Sequence, residues 1–433
     1  MAYTFDISET DRDILRTLAA HQLELANTEE NKRHIAEWYA LNECEPGARP
    51  MISLELGTFE HEVIPPRLRC SGEFARSLET SLYRNFLNRE LIGDDRVVPD
   101  YFPVLWQTFF IPFDIPVKRV SSDGLGHQFV HQITDIEDAC AHLAPSRFGI
   151  KREETLARLE AADAAFGDIL PAKLEGSAFV AVPTQDLVHL MGMEYMFFSM
   201  YDNPDEFKEM ILRLADDYIA YFQFLEAEGI LLPTAGHEHL CQGSLCYNHT
   251  LKQHAPVQCT DLWGFMDSQE TVSISPDMYE EFIFPAYEKL AQTFGLLSYG
   301  CCEPVHPIWD RCLSRLPNLR KVSISPWCDQ AFMGERLRGR KTVFHRKPSP
   351  NFLGVNEFLD EDACRAHIRE TLDAARGCTL EFSQRDVYTL HHNEAKAKRY
   401  VQIIREEIEY RGVSVIIPRR ECIQTLARKK RSK

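Results

Sequence analysis

Leu296-Leu-Ser-Tyr-Gly-Cys-Cys-Glu-Pro-Val-His306 is a short apolar run that leads straight into two adjacent thiols, a carboxylate and an imidazole. It reads as a buried strand whose C-terminal end carries nucleophile and metal-ligand side chains. In barrels of alternating strands and helices, chemistry sits at the C-terminal ends of the strands. On both sides of this stretch, from residue 50 onward, β-type runs alternate with amphipathic helices, the pattern of α/β architecture. Candidate strands are Met51–Leu56, Val104–Phe110, Ala178–Pro183, Cys259–Phe265, Leu296–Tyr299, Lys321–Ser325, Thr342–His345 and Cys378–Phe382. A ninth run, Ile230–Leu232, competes with Cys259–Phe265 for the fourth position. Eight such units predict an α/β fold: a (β/α)8 TIM barrel with an N-terminal helical extension and insertions.

Helix boundaries are well marked. Asn203-Pro204 starts a helix, with Asn as cap and Pro in the first turn; Phe207, Ile211, Leu214, Ile219 and Phe222 form its apolar face and Gly229 ends it. Ser275-Pro276 starts a second, and Asp360 caps a third that stops at Gly377. Residues 1–48 read as the N-terminal helical extension, helical over 8–42. Residues 49–412 read as the barrel, with a long excursion at 57–100 and an inserted loop at 233–257. Residues 413–433 read as a solvated basic tail.

The chain has 433 residues, a net charge of −17 and 44% hydrophobic residues. That charge argues against nucleic-acid binding and against adhesion to anionic membranes. No apolar run approaches ~18 residues, the length of a membrane span. The N-terminus lacks the basic and apolar regions of a secretion signal. The thirteen cysteines are odd in number and scattered, so they are expected to be reduced. A cytoplasmic enzyme acting on a small molecule, with no nucleic-acid or membrane partner, is the expectation; a homodimer is compatible with it.

Three constellations stand out. Cys301, Cys302, Glu303 and His306 end the fifth strand, and period-two alternation puts Cys301 on the face shared by Tyr299 and Glu303. The inserted loop carries His237-Glu-His239 with Cys241 and Cys246; His-x-His on extended chain points both imidazoles one way. Asp267, Gln269, His345, Arg346, Lys347, Glu381, Gln384, Arg385 and Asp386 lie at predicted C-terminal strand ends. There Arg346 and Lys347 would clamp a carboxylate or phosphate, and acidic groups would orient ligands or move protons. Trp106, Phe109, Phe110 and Trp263 read as core.

Several segments together resemble the uroporphyrinogen decarboxylase superfamily, which includes zinc-dependent methyltransferases acting on corrinoid or coenzyme M thiols. They are Phe179-Val-Ala-Val-Pro-Thr, Leu190-Met-Gly-Met-Glu, Asp202-Asn-Pro-Asp-Glu-Phe, Asp267-Ser-Gln-Glu, Ile274-Ser-Pro-Asp-Met-Tyr-Glu-Glu-Phe, Cys378-Thr-Leu-Glu-Phe and Lys398-Arg-Tyr-Val-Gln-Ile-Ile-Arg. The resemblance covers roughly residues 175–410 and, more weakly, 50–175. It implies a metal site in which Cys301 matches the family's thiolate ligand. Tyr299 stands where the family's histidine would be, and the loop Ser383–Asp386 holds no cysteine. His237 and His239 are therefore expected to supply nitrogen ligands from over the barrel mouth. The implied activity is a zinc-dependent methyl transfer between a small molecule or corrinoid and a thiol. Asp267, Glu303 and Glu381 would be catalytic, and Gln269, Tyr299, His345, Arg346, Lys347, Gln384 and Arg385 would bind substrate. A partner protein would supply the corrinoid. The arginine-rich decarboxylase motif is absent, so uroporphyrinogen is not the expected substrate. The alternatives are a metal-independent decarboxylase or lyase on a small acid, and a non-catalytic binder of a small molecule or corrinoid.

Overall fold

The computed structural model describes residues 5–121 and 127–410; the expected basic tail at 413–433 lies outside them. In chain order the strands are β1 (Met51–Leu54), β2 (Phe102–Leu105), β3 (Thr108–Ile111), β4 (Lys118–Ser121), β5 (His127–Val130), β6 (Arg147–Ile150), β7 (Ala172–Glu175), β8 (Phe179–Ala181), β9 (Trp263–Met266), β10 (Leu296–Tyr299), β11 (Leu319–Ile324), β12 (Val343–Arg346) and β13 (Leu380–Gln384). Seven of them form one sheet in the order β8-β9-β10-β11-β12-β13-β1. Every pairing in it is parallel, and β13 returns to lie beside β1, with Met51 opposite Glu381 and Leu54 opposite Gln384. The helices Pro204–Ala227, Pro276–Met278 and Glu361–Ala374 start where the sequence predicts. Ser275 and Asp360 each accept a bond from a backbone N–H of the first turn. No helix among the described residues is long and apolar enough to cross a membrane.

The expected second barrel strand is not in this sheet. Val104–Phe110 divides between β2, which pairs with β7, and β3, which pairs antiparallel with β6. The outer edge of β1 is already occupied. Ile52 N–H donates to the Asp95 carboxylate at 2.8 Å and Leu54 N–H to the Asp94 carboxylate at 2.8 Å. Asp95 N–H returns a bond to Ile52 O at 2.8 Å. Two side chains thus satisfy the edge donors that a neighbouring strand would have met. Ile230–Leu232 also forms no strand.

The two faces of the sheet differ in chemistry. Ile52, Leu54, Leu297, Tyr299, Val322, Ile324, Phe344 and Phe382 pack into the main core beneath the helices. The alternate residues face inward, and Ser53, Ser298, Ser323 and Ser383 are among them, all buried. Small polar side chains leave room where barrels usually carry Val, Ile and Leu. A hairpin spanning residues 238–246 occupies that room. Its tip, Cys241-Gln242-Gly243, is left-handed throughout, with φ of 65°, 54° and 83°. At Gly243 the left-handed φ favours glycine, and a Cβ there would lie 3.3 Å from Ser53 Oγ, a tight contact. Leu240 and Cys246 pack with Ala178, Trp263 and Leu296; Leu245 packs with Met51, Trp38 and Leu41.

The inserted segment therefore enters the concave face rather than covering the mouth. Lys321 fixes it there. Its ammonium donates to Ser244 Oγ at 2.6 Å and to Glu381 Oε2 at 2.6 Å, and neither charged side chain is exposed. The N-terminal extension is part of the same plug. Asn42 donates to Leu245 O and Tyr247 O, and the Trp38 ring lies 5.3 Å beneath the Lys321 ammonium.

Removing one partner of a fully buried ion pair leaves an uncompensated charge. Lys321→Met is expected to cost about 3–5 kcal/mol in urea unfolding, and Lys321→Met with Glu381→Met together less than the single change. Equal stability of Lys321→Met and wild type would show that the pair does not pin the hairpin.

Candidate active site

In chain order β10 is the fourth strand of the seven-stranded sheet, and the turn that follows it is sharp. Gly300, at φ 100°, ends the strand, and a Cβ there would lie 3.0 Å from Ser323 Cβ. The turn breaks the expected alternation. Cys301 and Cys302 lie on the same side, with their sulfurs 3.6 Å apart. Tyr299, by contrast, faces the helices, where its hydroxyl is 2.6 Å from both Ser268 Oγ and Tyr279 Oη.

Cys301 is surrounded by donors and positive charge. Arg385 Nη1 donates to its sulfur at 3.2 Å. The Cys302 thiol beside it, together with the charges of Lys347 and Arg385, lowers the Cys301 thiol to about 5 against the opposing effect of burial. Cys302 is pushed up in the same exchange, so its proton stays on while Cys301 ionises. Lys347 is buried and donates to Gln242 Oε1 at 2.7 Å and Gly300 O at 3.2 Å. Arg385 is 3.3 Å from Glu55 Oε2 and 3.4 Å from Asp386 Oδ1. The charge on Arg385 is held more firmly than usual: burial opposes it, and Glu55, Cys301 and Asp386 outweigh that.

Two carboxyls complete the site. Glu303 accepts from Ser268 N–H at 3.0 Å and Cys301 N–H at 2.7 Å, so it braces the turn that aims the thiolate. Asp267 is raised well above the usual carboxylate range by burial, then by Glu303 and Cys301. Its Oδ1 is buried without a hydrogen-bond partner. A neutral acid with a spare oxygen is a candidate proton donor. Beside Cys302 opens a cavity of ≈ 690 Å³ with Val188, Met193, Gln269, Val272 and Trp327 in its walls, within the range of small-molecule sites.

Of the residues predicted from sequence, the mouth brings together Cys301, Glu303, Asp267, Lys347 and Arg385, with Gln269 in the adjoining cavity. The others go elsewhere. Arg346 points outward and donates to Ile324 O and Ser325 O. Gln384 accepts from Tyr400 Oη at 2.6 Å in the helix layer. His345 and Glu381 lie deeper, His345 on Ser383 Oγ at 2.7 Å and Glu381 on Lys321. Burial lowers His345 to about 3; burial would raise Glu381, but His345 and Lys321 hold it below its ordinary value. His237 bonds Glu175 at 3.1 Å, and His239 bonds Arg96. The inserted hairpin instead delivers Gln242 to Lys347.

Among the described residues no three His, Cys, Asp or Glu side chains are grouped to hold a metal ion. The charge at the mouth agrees: a zinc ion on Cys301 would face Arg385 and Lys347, which already occupy the thiolate's surroundings. The donor set does not fit the expected zinc site. Sequence reasoning missed Cys302 as the proton-bearing partner of Cys301, because alternation was carried one residue past the strand. It also missed Glu55 and Arg96, which no motif marks.

No protein-family profile and no curated protein sequence matches the chain. Among solved structures, the fold is similar to a methyltransferase from Methanosarcina mazei, with a TM-score of 0.49 and 13% identity over 85% of this chain and 98% of that one.

Alkylation by iodoacetamide reads the thiolate directly. At pH 6.5 Cys301 is expected to react faster than any other cysteine of the native protein. Arg385→Gln and Lys347→Met should each slow it about tenfold or more, as the thiolate fraction falls. Unchanged rates in both variants would remove the two cations from the control of Cys301.

Proposed function

We propose that the protein is a methyl-transfer enzyme that works at the C-terminal strand ends of its seven-stranded parallel sheet, with Cys301 as the group that takes up the methyl. The observation that carries the reading is the state of Cys301: a thiolate stabilised by Arg385 and Lys347, with no imidazole hydrogen-bonded to it among the described residues. Acyl-transfer thiol enzymes pair the thiolate with a histidine that protonates the leaving group. Alkyl transfer needs no such partner. The sulfur's electron pair forms the S–C bond while the bond from carbon to the leaving group breaks, and the leaving group departs with its pair. The cations that stabilise the thiolate also favour its release in the onward transfer, since a sulfur of low pKa is the better leaving group. Glu303 holds the sulfur in place through the backbone, and the cavity beside Cys302 offers a mostly apolar approach.

The superfamily resemblance supports methyl as the group moved. A second reading is favoured by one feature, the neutral Asp267 near Lys347. In it Lys347 and Arg385 hold a substrate carboxylate, the C–C bond to it breaks with loss of carbon dioxide, and Asp267 protonates the carbanion left behind.

Incubation with methylcobalamin, used as a methyl donor, followed by peptide mass analysis separates the two. Methyl transfer predicts one added methyl on the Cys301 peptide and none in Cys301→Ser. Absence of any methylated cysteine, or methyl on Cys302 instead, would contradict it.

A further inference from the structure

The His237-Glu238-His239 motif is left over by this chemistry, and so is Arg96. The two meet on the open side of the sheet, next to β1. We propose that Arg96 and His239 form an anion-binding subsite that takes a carboxylate or phosphate group of the substrate whose reacting carbon lies at Cys301. The proposal rests on the reading of Cys301 as the reacting sulfur.

Arg96 follows the Asp94-Asp95 pair that caps the edge of β1, and its own N–H donates to Asp94 Oδ1 at 3.2 Å, which fixes its backbone. Its guanidinium donates to the ring of His239. Among the described residues it forms no ion pair; Asp94 and Glu55 act on it only from a distance, against a large desolvation. A half-buried guanidinium without a carboxylate in contact keeps its charge available to an arriving anion. Most other arginines buried to this degree have their partners: Arg385 has Glu55 and Asp386, and Arg320 has Glu43.

His239 adds two properties. Burial, then the charge of Arg96, keeps it well below its ordinary value, so the ring is neutral. A neutral ring leaves the charge of Arg96 unspent. If one nitrogen accepts from Arg96, the other keeps a proton to donate. Although packed atoms crowd one side of it, His239 keeps part of its surface exposed, so open space lies against it. Arg96, Cys241 and Gln242 are only half-buried along the same wall.

That wall leads to Cys301. Glu55 acts on Arg96 and pairs with Arg385, which donates to Cys301. The hairpin runs alongside from His239 to Gln242, which meets Lys347; Cys241 between them feels Asp267, Glu55, Arg385 and Lys347 together. The row Cys301–Arg385–Glu55–Arg96–His239 therefore offers a reacting end and a second cationic end. A planar guanidinium beside a neutral imidazole suits an oxyanion bound through two oxygens.

The test is protection of Cys301 from iodoacetamide by succinate and by inorganic phosphate, in wild type, Arg96→Gln, Arg96→Lys and His239→Gln. Each variant's alkylation is also followed against pH without anion. At least one anion should protect wild type. Arg96→Gln should raise its half-protecting concentration about tenfold or more, with a smaller rise in Arg96→Lys, which keeps the charge but loses the fork. The anion that protects at lower concentration assigns the substrate group as carboxylate or phosphate. Should Arg96→Gln fail to fold, Arg96→Lys and His239→Gln carry the comparison. Protection equal in all variants, or no protection of wild type, overturns the subsite while the pH profile of Cys301 stands. An ordinary thiol profile in wild type overturns the reading of Cys301, and the subsite with it.

Discussion

The polar concave face of the sheet is the constraint on which the rest of the molecule depends. Ser53, Ser298, Ser323 and Ser383 cannot fill the interior as branched apolar residues would, and Lys321 and Glu381 cannot stay there unpaired. The hairpin at 238–246 meets both needs. It supplies Leu240, Leu245 and Cys246 as packing and Ser244 as an acceptor for Lys321. Its tip then has one place to go, toward the C-terminal strand ends, and that places Gln242 on Lys347. A device that stabilises the interior thus also sets one wall of the site.

At the mouth the decisive effect is electrostatic. Burial alone would hold Cys301 protonated, and the Cys302 thiol, Lys347 and Arg385 together reverse that. At Asp267 the same burial, reinforced by Glu303 and Cys301, outweighs Lys347 and raises the carboxyl well above its ordinary value. One nucleophile and one acid arise side by side from the same desolvation, distinguished by which charges face each group. The positive charge that makes the thiolate is also what disfavours a metal ion there. The zinc site expected around Cys301 is not formed among the described residues.

The alternation of apolar runs and capped helices made most of the fold legible. β10 was readable residue for residue, and Asn203-Pro204, Ser275-Pro276 and Asp360 each mark a helix start that the structure contains. Val104–Phe110 misled because its composition is that of a strand, while its partner is set by a distant event: Asp94 and Asp95 take the edge of β1 first. At the site, Cys301, Asp267, Lys347 and Arg385 were legible from their positions after apolar runs. Arg346 and Tyr299 were not: both fall on the outward phase of their strands, Arg346 on Ile324 O and Ser325 O and Tyr299 on Ser268 and Tyr279. His237 and His239 were expected as metal ligands over the mouth; they bond Glu175 and Arg96 instead, partners that come from segments without a motif.

The central claim is that Cys301 is a thiolate in the resting protein. Carbon NMR of the protein labelled at cysteine Cβ, with Cys301→Ser to assign the resonance, measures this without a reagent. The Cys301 signal should titrate with a midpoint near 5, far below an ordinary thiol, while the Cys302 signal stays in its protonated position across the same range. A Cys301 midpoint at about 8.5, the value of an unperturbed cysteine, would contradict it.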